Sequence, residues 1–217
     1  MVTLTTNRNL IDGLAGWSRH VGWRIDGWAA LAALGRLWRP ATGTLLLDGP
    51  THADGLRCEV AADQLGCLAD AGWVPVGERS TVHGQQLWLS HPDRAAPLHL
   101  ALRQRPWPVA AVQTAPPHLL RIPPLGQLLA RRLQLIATLD RSSPAWSRAL
   151  IDAAALASHP CIRQHARYGQ QFGDHASSDA INSLAELDPP TLASIAPGRC
   201  RQLTDGIGQL LELRTPR

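Results

Sequence analysis

Apolar residues in the first hundred positions come in short blocks that alternate between helical and extended spacing. Leu10, Ile11, Leu14 and Trp17 recur at three- and four-residue steps and predict a helix from Leu4 to Trp17. A short strand is expected over Trp23 to Ile25, a helix over Trp28 to Leu34 that Gly35 ends, and a strand over Thr44 to Leu47. Glu59 to Ala71 reads as a helix closed by Gly72, with an extended stretch over Trp73 to Val76. Gln86 to Leu89 and Leu98 to Leu102 read as two strands joined by SHPDRAAP, whose proline and aspartate suit a turn.

Pro106, Pro108, Pro116, Pro117, Pro123 and Pro124 interrupt this pattern with a stretch that cannot be continuous helix. It reads as a linker holding one edge strand. Beyond it the spacing is helical over Leu125 to Leu139 and Pro144 to Ala157, polar over Arg163 to Ser178, then helical near Ile181 to Leu187 and Arg199 to Leu213. Leu125, Leu128, Leu129, Leu133 and Ile136 make an apolar stripe along one helix face. The expected architecture is α/β (α+β): a mixed-sheet domain over residues 1–115, then a helical bundle over 116–217.

Composition narrows the functional classes. The 217 residues can bury a proper core, 45% are hydrophobic, and no apolar run approaches a membrane span. The first residues lack a basic start followed by an unbroken apolar stretch, so a cytoplasmic location is expected. All 21 basic residues are arginine against 17 acids, a net charge of +4. That charge is spread along the chain, which makes nucleic acid an unexpected partner, and the loss of lysine fits a GC-rich coding sequence. Cys58, Cys67, Cys161 and Cys200 form no CxxC pair, and SHPCIRQH is broken by Pro160 without a fourth ligand nearby, so no metal site is expected there.

Candidate chemistry sits at IDGWAA, Ile25 to Ala30, where a glycine joins a strand to a helix. Such a junction presents unpaired backbone N–H groups that can hold a phosphate, although Asp-Gly is equally an ordinary turn. The longer stretch DGWAALAALGRLWRPATGTLLLDG resembles the opening of nucleotidyltransferase-fold proteins, in particular the aminoglycoside and lincosamide nucleotidyltransferases and the abortive-infection toxins. On that resemblance Gly27 matches the second glycine of the family pair, with Asp26 in place of the first. Trp28 follows it, Gly35 ends the small helix, and Arg39 and Pro40 match the arginine before the carboxylates. The family's Asp-x-Asp falls on Gly43, Thr44 and Leu45. LGCLADAGWVPV and LWLSHPDRAAPLHLAL are similar to the following helix and hairpin, with His99 as the family histidine and Pro97 where a third acid belongs. IPPLGQLLARRLQLIATLDRSSPAWSRALIDAAALA resembles the helical segment of the toxins. Arg131 or Arg132 stands there near a usual lysine, and Ile151 and Asp152 near a usual Asp-Leu-x-Asp. The match runs in order from about Gly22 to Ala157.

Nucleotidyl transfer uses two divalent ions, and magnesium takes oxygen ligands, so two or three carboxylates must converge. Gly43 and Leu45 supply none. Asp48 lies three residues past Leu45, on the opposite face of a regular strand; Asp54 falls in a loop and Asp93 in a turn. The resemblance with these departures implies a nucleotidyltransferase-like protein without metal or other cofactor. It would act as a binding or regulatory module for a nucleotide, a small molecule or a protein partner. The ligand-binding candidates are Gly27, Trp28, Arg39 and His99. Trp28 is read as core first and base-stacking second, Asp26 as a helix cap, Arg39 as phosphate-binding or paired with Asp48 or Asp26, and Arg131 and Arg132 as a solvated face. The alternative is an active transferase using magnesium on Asp48 and Asp93 to move a nucleotide onto a hydroxyl. An accidental likeness of another α/β domain is the third reading.

Overall fold

The computed structural model describes residues 24–40, 45–49, 69–70, 72–81, 84–93, 97–104, 113–115, 120–162 and 175–214. The helix expected over Leu4 to Trp17 and nearly all of that over Glu59 to Ala71 lie outside the described residues, as do Gly43, Thr44, Asp54, Cys58 and Cys67. The chain divides into two compact units. The first comprises Met1–Gly35 and Ala41–Pro123, the second Arg36–Pro40 and Pro124–Arg217.

In the first unit, β1 (Arg24–Asp26) leads directly into α1 (Gly27–Ala33), followed by β2 (Leu45–Gly49), β3 (Val74–Thr81), β4 (Gly84–Ser90) and β5 (Leu98–Gln104). These strands form one sheet in the order β1-β2-β5-β4-β3. Only β2 and β5 run parallel; the other neighbours are antiparallel, as the β3–β4–β5 hairpins require. Strand alternation sets the core. Leu87 pairs with Leu100 and Leu89 with Leu98, and all four are buried. Between them Trp88 pairs with His99 on the other face. Edge strand β3 carries exposed Val74 and Val76 around Pro75, a residue that an edge tolerates because it has no N–H to donate.

Several boundaries moved. The strand expected from Thr44 to Leu47 is described from Leu45 and reaches Gly49, because its pairing with β1 and β5 continues through Asp48. In the proline-rich stretch β6 (Gln113–Ala115) and β7 (Leu120–Ile122) pair with each other as a separate two-stranded ladder.

The second unit is helical: α2 (Leu125–Thr138), α3 (Pro144–Ala157), α4 (His175–Leu184), α5 (Pro189–Ile195) and α6 (Cys200–Arg214). The α2 stripe is buried as its spacing predicts. Ser143 caps α3 by accepting from the Trp146 N–H at 3.1 Å, with Pro144 in the first turn, and the Trp146 indole donates to the Ile136 carbonyl at 3.2 Å. Helix α4 begins within the stretch read as polar and ends at Leu184. Helix α5 has no counterpart in the sequence reading, although Asp188 followed by Pro189 is a strong start signal and Asp188 does accept from the Thr191 N–H at 3.0 Å. Helices α3 and α6 approach so closely at Gly206 that a Cβ there would lie 2.7 Å from both the Cβ and the carbonyl oxygen of Ala154.

Segment 36–40 is tied to α3. Arg36 Nη1 reaches Ser158 Oγ at 3.5 Å, and Arg39 binds Asp152. Among the described residues no helix is long and apolar enough to cross a membrane.

Candidate functional site

The β1–α1 junction is built by two residues with different tasks. Asp26 closes the strand in an extended conformation, and Gly27 turns the chain at φ +69°, where a side chain would be strained. Asp26, buried, accepts the Gly27 N–H at 2.7 Å and so caps α1. That carboxylate occupies the amide a phosphate oxygen would otherwise take, and its negative charge opposes an incoming anion.

Across from this turn stands β2. A Cβ built on Gly27 would be 3.5 Å from Leu46 Cδ1, so the side chain meeting the turn is Leu46. The resemblance aligns Leu45, one residue earlier, with the second acid of the family's Asp-x-Asp. Leu46 brings no side-chain oxygen to this turn. Counting from 46 also alters the place of Asp48: strand positions two apart share a face, so position 48 falls on the face of position 46, paired in register with Arg24 and Arg103.

The other candidates disperse. Trp28 is buried at 3% exposure in the core beside Ile25 and Leu31. His99 stacks on Trp88 with ring centroids 4.9 Å apart and planes 8° from parallel. Asp93 is exposed in the turn after β4, where its N–H donates to His91 Nδ1 at 3.1 Å and its carboxylate lies 3.8 Å from the same nitrogen. Among the described residues no three His, Cys, Asp or Glu side chains come together as a metal-holding group.

Arg39 belongs to the second unit, and its carboxylate partner among the described residues is Asp152. Its Nε donates to Asp152 Oδ1 at 2.7 Å and its Nη2 to Oδ2 at 2.8 Å, a two-pronged contact. Arg132 Nε lies 3.2 Å from the same Oδ2. The side chains are 11%, 9% and 3% exposed for Arg39, Arg132 and Asp152. Arg132 is therefore no solvated residue, and the sequence held the signal: it stands four before Ile136 and three past Leu129, within the buried stripe of α2. Asp152 gave a similar one as the single acid in LIDAAALA.

No protein-family model and no curated protein sequence matches the chain. Solved structures do. The protein JHP933 from Helicobacter pylori superposes with a TM-score of 0.59 at 16% identity, over 96% of this chain and 89% of its own. A second Helicobacter pylori structure, which bears the nucleotidyltransferase name, gives 0.55 at 19% identity over 96% and 88%. An antigenic nucleotidyltransferase-like protein from Paracoccidioides brasiliensis gives 0.55 at 12% identity, over 94% of both chains. The small helix set between β1 and β2, the mixed sheet and the helices that follow are thus those of a nucleotidyltransferase-like fold.

Proposed function

We propose that this protein is a nucleotidyltransferase-like module without transfer activity, which recognises a nucleotide, a small molecule or a protein partner and needs no magnesium. The observation that carries the reading is apolar Leu46 meeting the Gly27 turn, where a magnesium ion would require an oxygen ligand. The capping of Gly27 by buried Asp26 supports it, because the turn already holds its own anion. A magnesium pair does not fit the described residues at this turn.

A second reading is favoured by one observation: position 48 lies on the face of position 46. On that reading Asp48, with Asp93 as the other repositioned acid, would hold magnesium for transfer of a nucleotide to a hydroxyl.

Calorimetric titration with ATP, CTP, GTP and UTP, each with and without magnesium, separates the two. The module predicts that magnesium changes no affinity and that Asp48→Asn is silent. Magnesium-dependent binding lost in Asp48→Asn, with pyrophosphate released in the presence of an acceptor, would overturn it.

A further inference from the structure

The cluster of Arg39, Arg132 and Asp152 is not neutral. Two guanidiniums share one carboxylate, and Asp152 is the only acidic partner of either among the described residues. Arginine stays protonated, so one surplus positive charge sits where all three side chains are nearly out of water. A buried charge without a counterion is costly, and the cheapest remedy is an anion admitted from solvent.

The structure offers an entrance. A cavity of about 430 Å³, a size that holds a small organic ligand, is lined by Trp38, Arg39, Pro40, Ile151, Ile195 and Arg199, all in the second unit. Arg39 lines this cavity and also binds Asp152. Three of its five N–H donors are engaged, two by Asp152 and one by the Pro40 carbonyl at 3.3 Å, which leaves one on each terminal nitrogen. Arg199, exposed, meets no carboxylate among the described residues; its Nη1 contacts Gln202 Oε1 at 3.4 Å. The remaining walls are Leu37, Trp38, Ala196, prolines and isoleucines, which suit a flat apolar body.

We propose that this cavity binds a small organic oxyanion, a carboxylate or phosphate carried on a planar apolar ring, with the anion between Arg39 and Arg199 and the ring against Trp38. The surplus charge and the two arginines supply the anion's counter-charge, and the apolar walls make a bare ion a poor occupant. The site does not depend on the reading of the Gly27 turn, and nucleotide titrations that fail at that turn leave it standing.

The test is calorimetry on the full chain with benzoate and phenyl phosphate, with neutral benzamide and inorganic phosphate as controls. Both ring anions should bind, and each control should be weaker by about tenfold or more, the weight of a charge-assisted contact or of the buried ring. The ratio of the two ring anions tells a carboxylate site from a phosphate site. Arg199→Gln, at an exposed position, should weaken both ring anions by about tenfold and leave benzamide unchanged. Arg132→Met removes the surplus charge without touching the cavity lining and should weaken the anions several-fold with no fall in Tm. Benzamide binding as tightly as benzoate, anion affinity unmoved by Arg199→Gln, or no saturable binding of either ring anion would overturn the proposal. If Arg132→Met does not fold, the benzamide and Arg199→Gln arms decide.

Discussion

Removing Asp152 and removing either of its arginines should have very different consequences, although each substitution breaks an ion pair of the same cluster. Asp152→Ala deletes the cluster's negative charge and leaves Arg39 and Arg132 about nine-tenths buried with no carboxylate among the described residues. Breaking a buried ion pair in this way costs about 3–5 kcal/mol, because the orphaned charge keeps its desolvation penalty. For a chain of this size each kcal/mol lowers Tm by roughly 2–4 °C, so a fall of at least roughly 6 °C is expected. Arg39→Met leaves Asp152 with Arg132, and Arg132→Met leaves it with Arg39 at 2.7 and 2.8 Å. Each arginine variant retains a one-to-one pair and sheds a surplus charge, so its cost should stay below about 1 kcal/mol, or its sign reverse. Thermal and urea unfolding of the three variants, followed by tryptophan fluorescence, reads the asymmetry. Equal losses in all three, or a silent Asp152→Ala, would refute the claim that the cluster carries one positive charge too many.

The remaining predictions concern the helical unit. Gly206→Ala must displace Ala154, with its Cβ 2.7 Å from that residue's backbone oxygen, and should cost about 1–3 kcal/mol despite the better helix former. Gly208→Ala in the same helix meets nothing within 4 Å and should stabilise by up to about 1 kcal/mol, so denaturation midpoints should move in opposite directions. Ser143→Ala removes the α3 cap and should cost about 1 kcal/mol by urea unfolding. Hydrogen bonds from Thr191 hold the Asp188 carboxyl below its ordinary 3.8, and those from the Ser142 N–H and hydroxyl do so for Asp140. A carboxyl depressed in the folded state adds stability that is complete above the unfolded value and lost as pH falls through the folded one. Thermal melts should therefore show an acid loss that begins near 3.8 and continues below it, and Asp188→Asn, which caps without titrating, should make that loss smaller.

The sequence by itself determined most of the described elements and their order through local rules, although the Asp188–Pro189 start signal did not by itself announce α5. Leu87 and Leu89 against Leu98 and Leu100 announce a half-buried hairpin by alternation, and the α2 stripe announces a buried helix face. The Asp26–Gly27 cap and turn could be read from two residues, because a cap and a left-handed glycine are local chemistry. The order of motifs from Gly27 onward carried the resemblance to the nucleotidyltransferase fold, which the solved structures bear out. Only the tertiary structure decided which residues meet. A shift of one residue along β2 exchanges faces, so whether Leu45 or Leu46 meets Gly27 depends on strand pairing that no local pattern fixes. The partner of Arg39 lies 113 residues away, and spacing along the chain carries no information about such a pair. Its charge could be read from the sequence, but its shared carboxylate, its burial and the cavity beside it arise only when segment 36–40 packs with α3, because desolvation and proximity are properties of the folded chain.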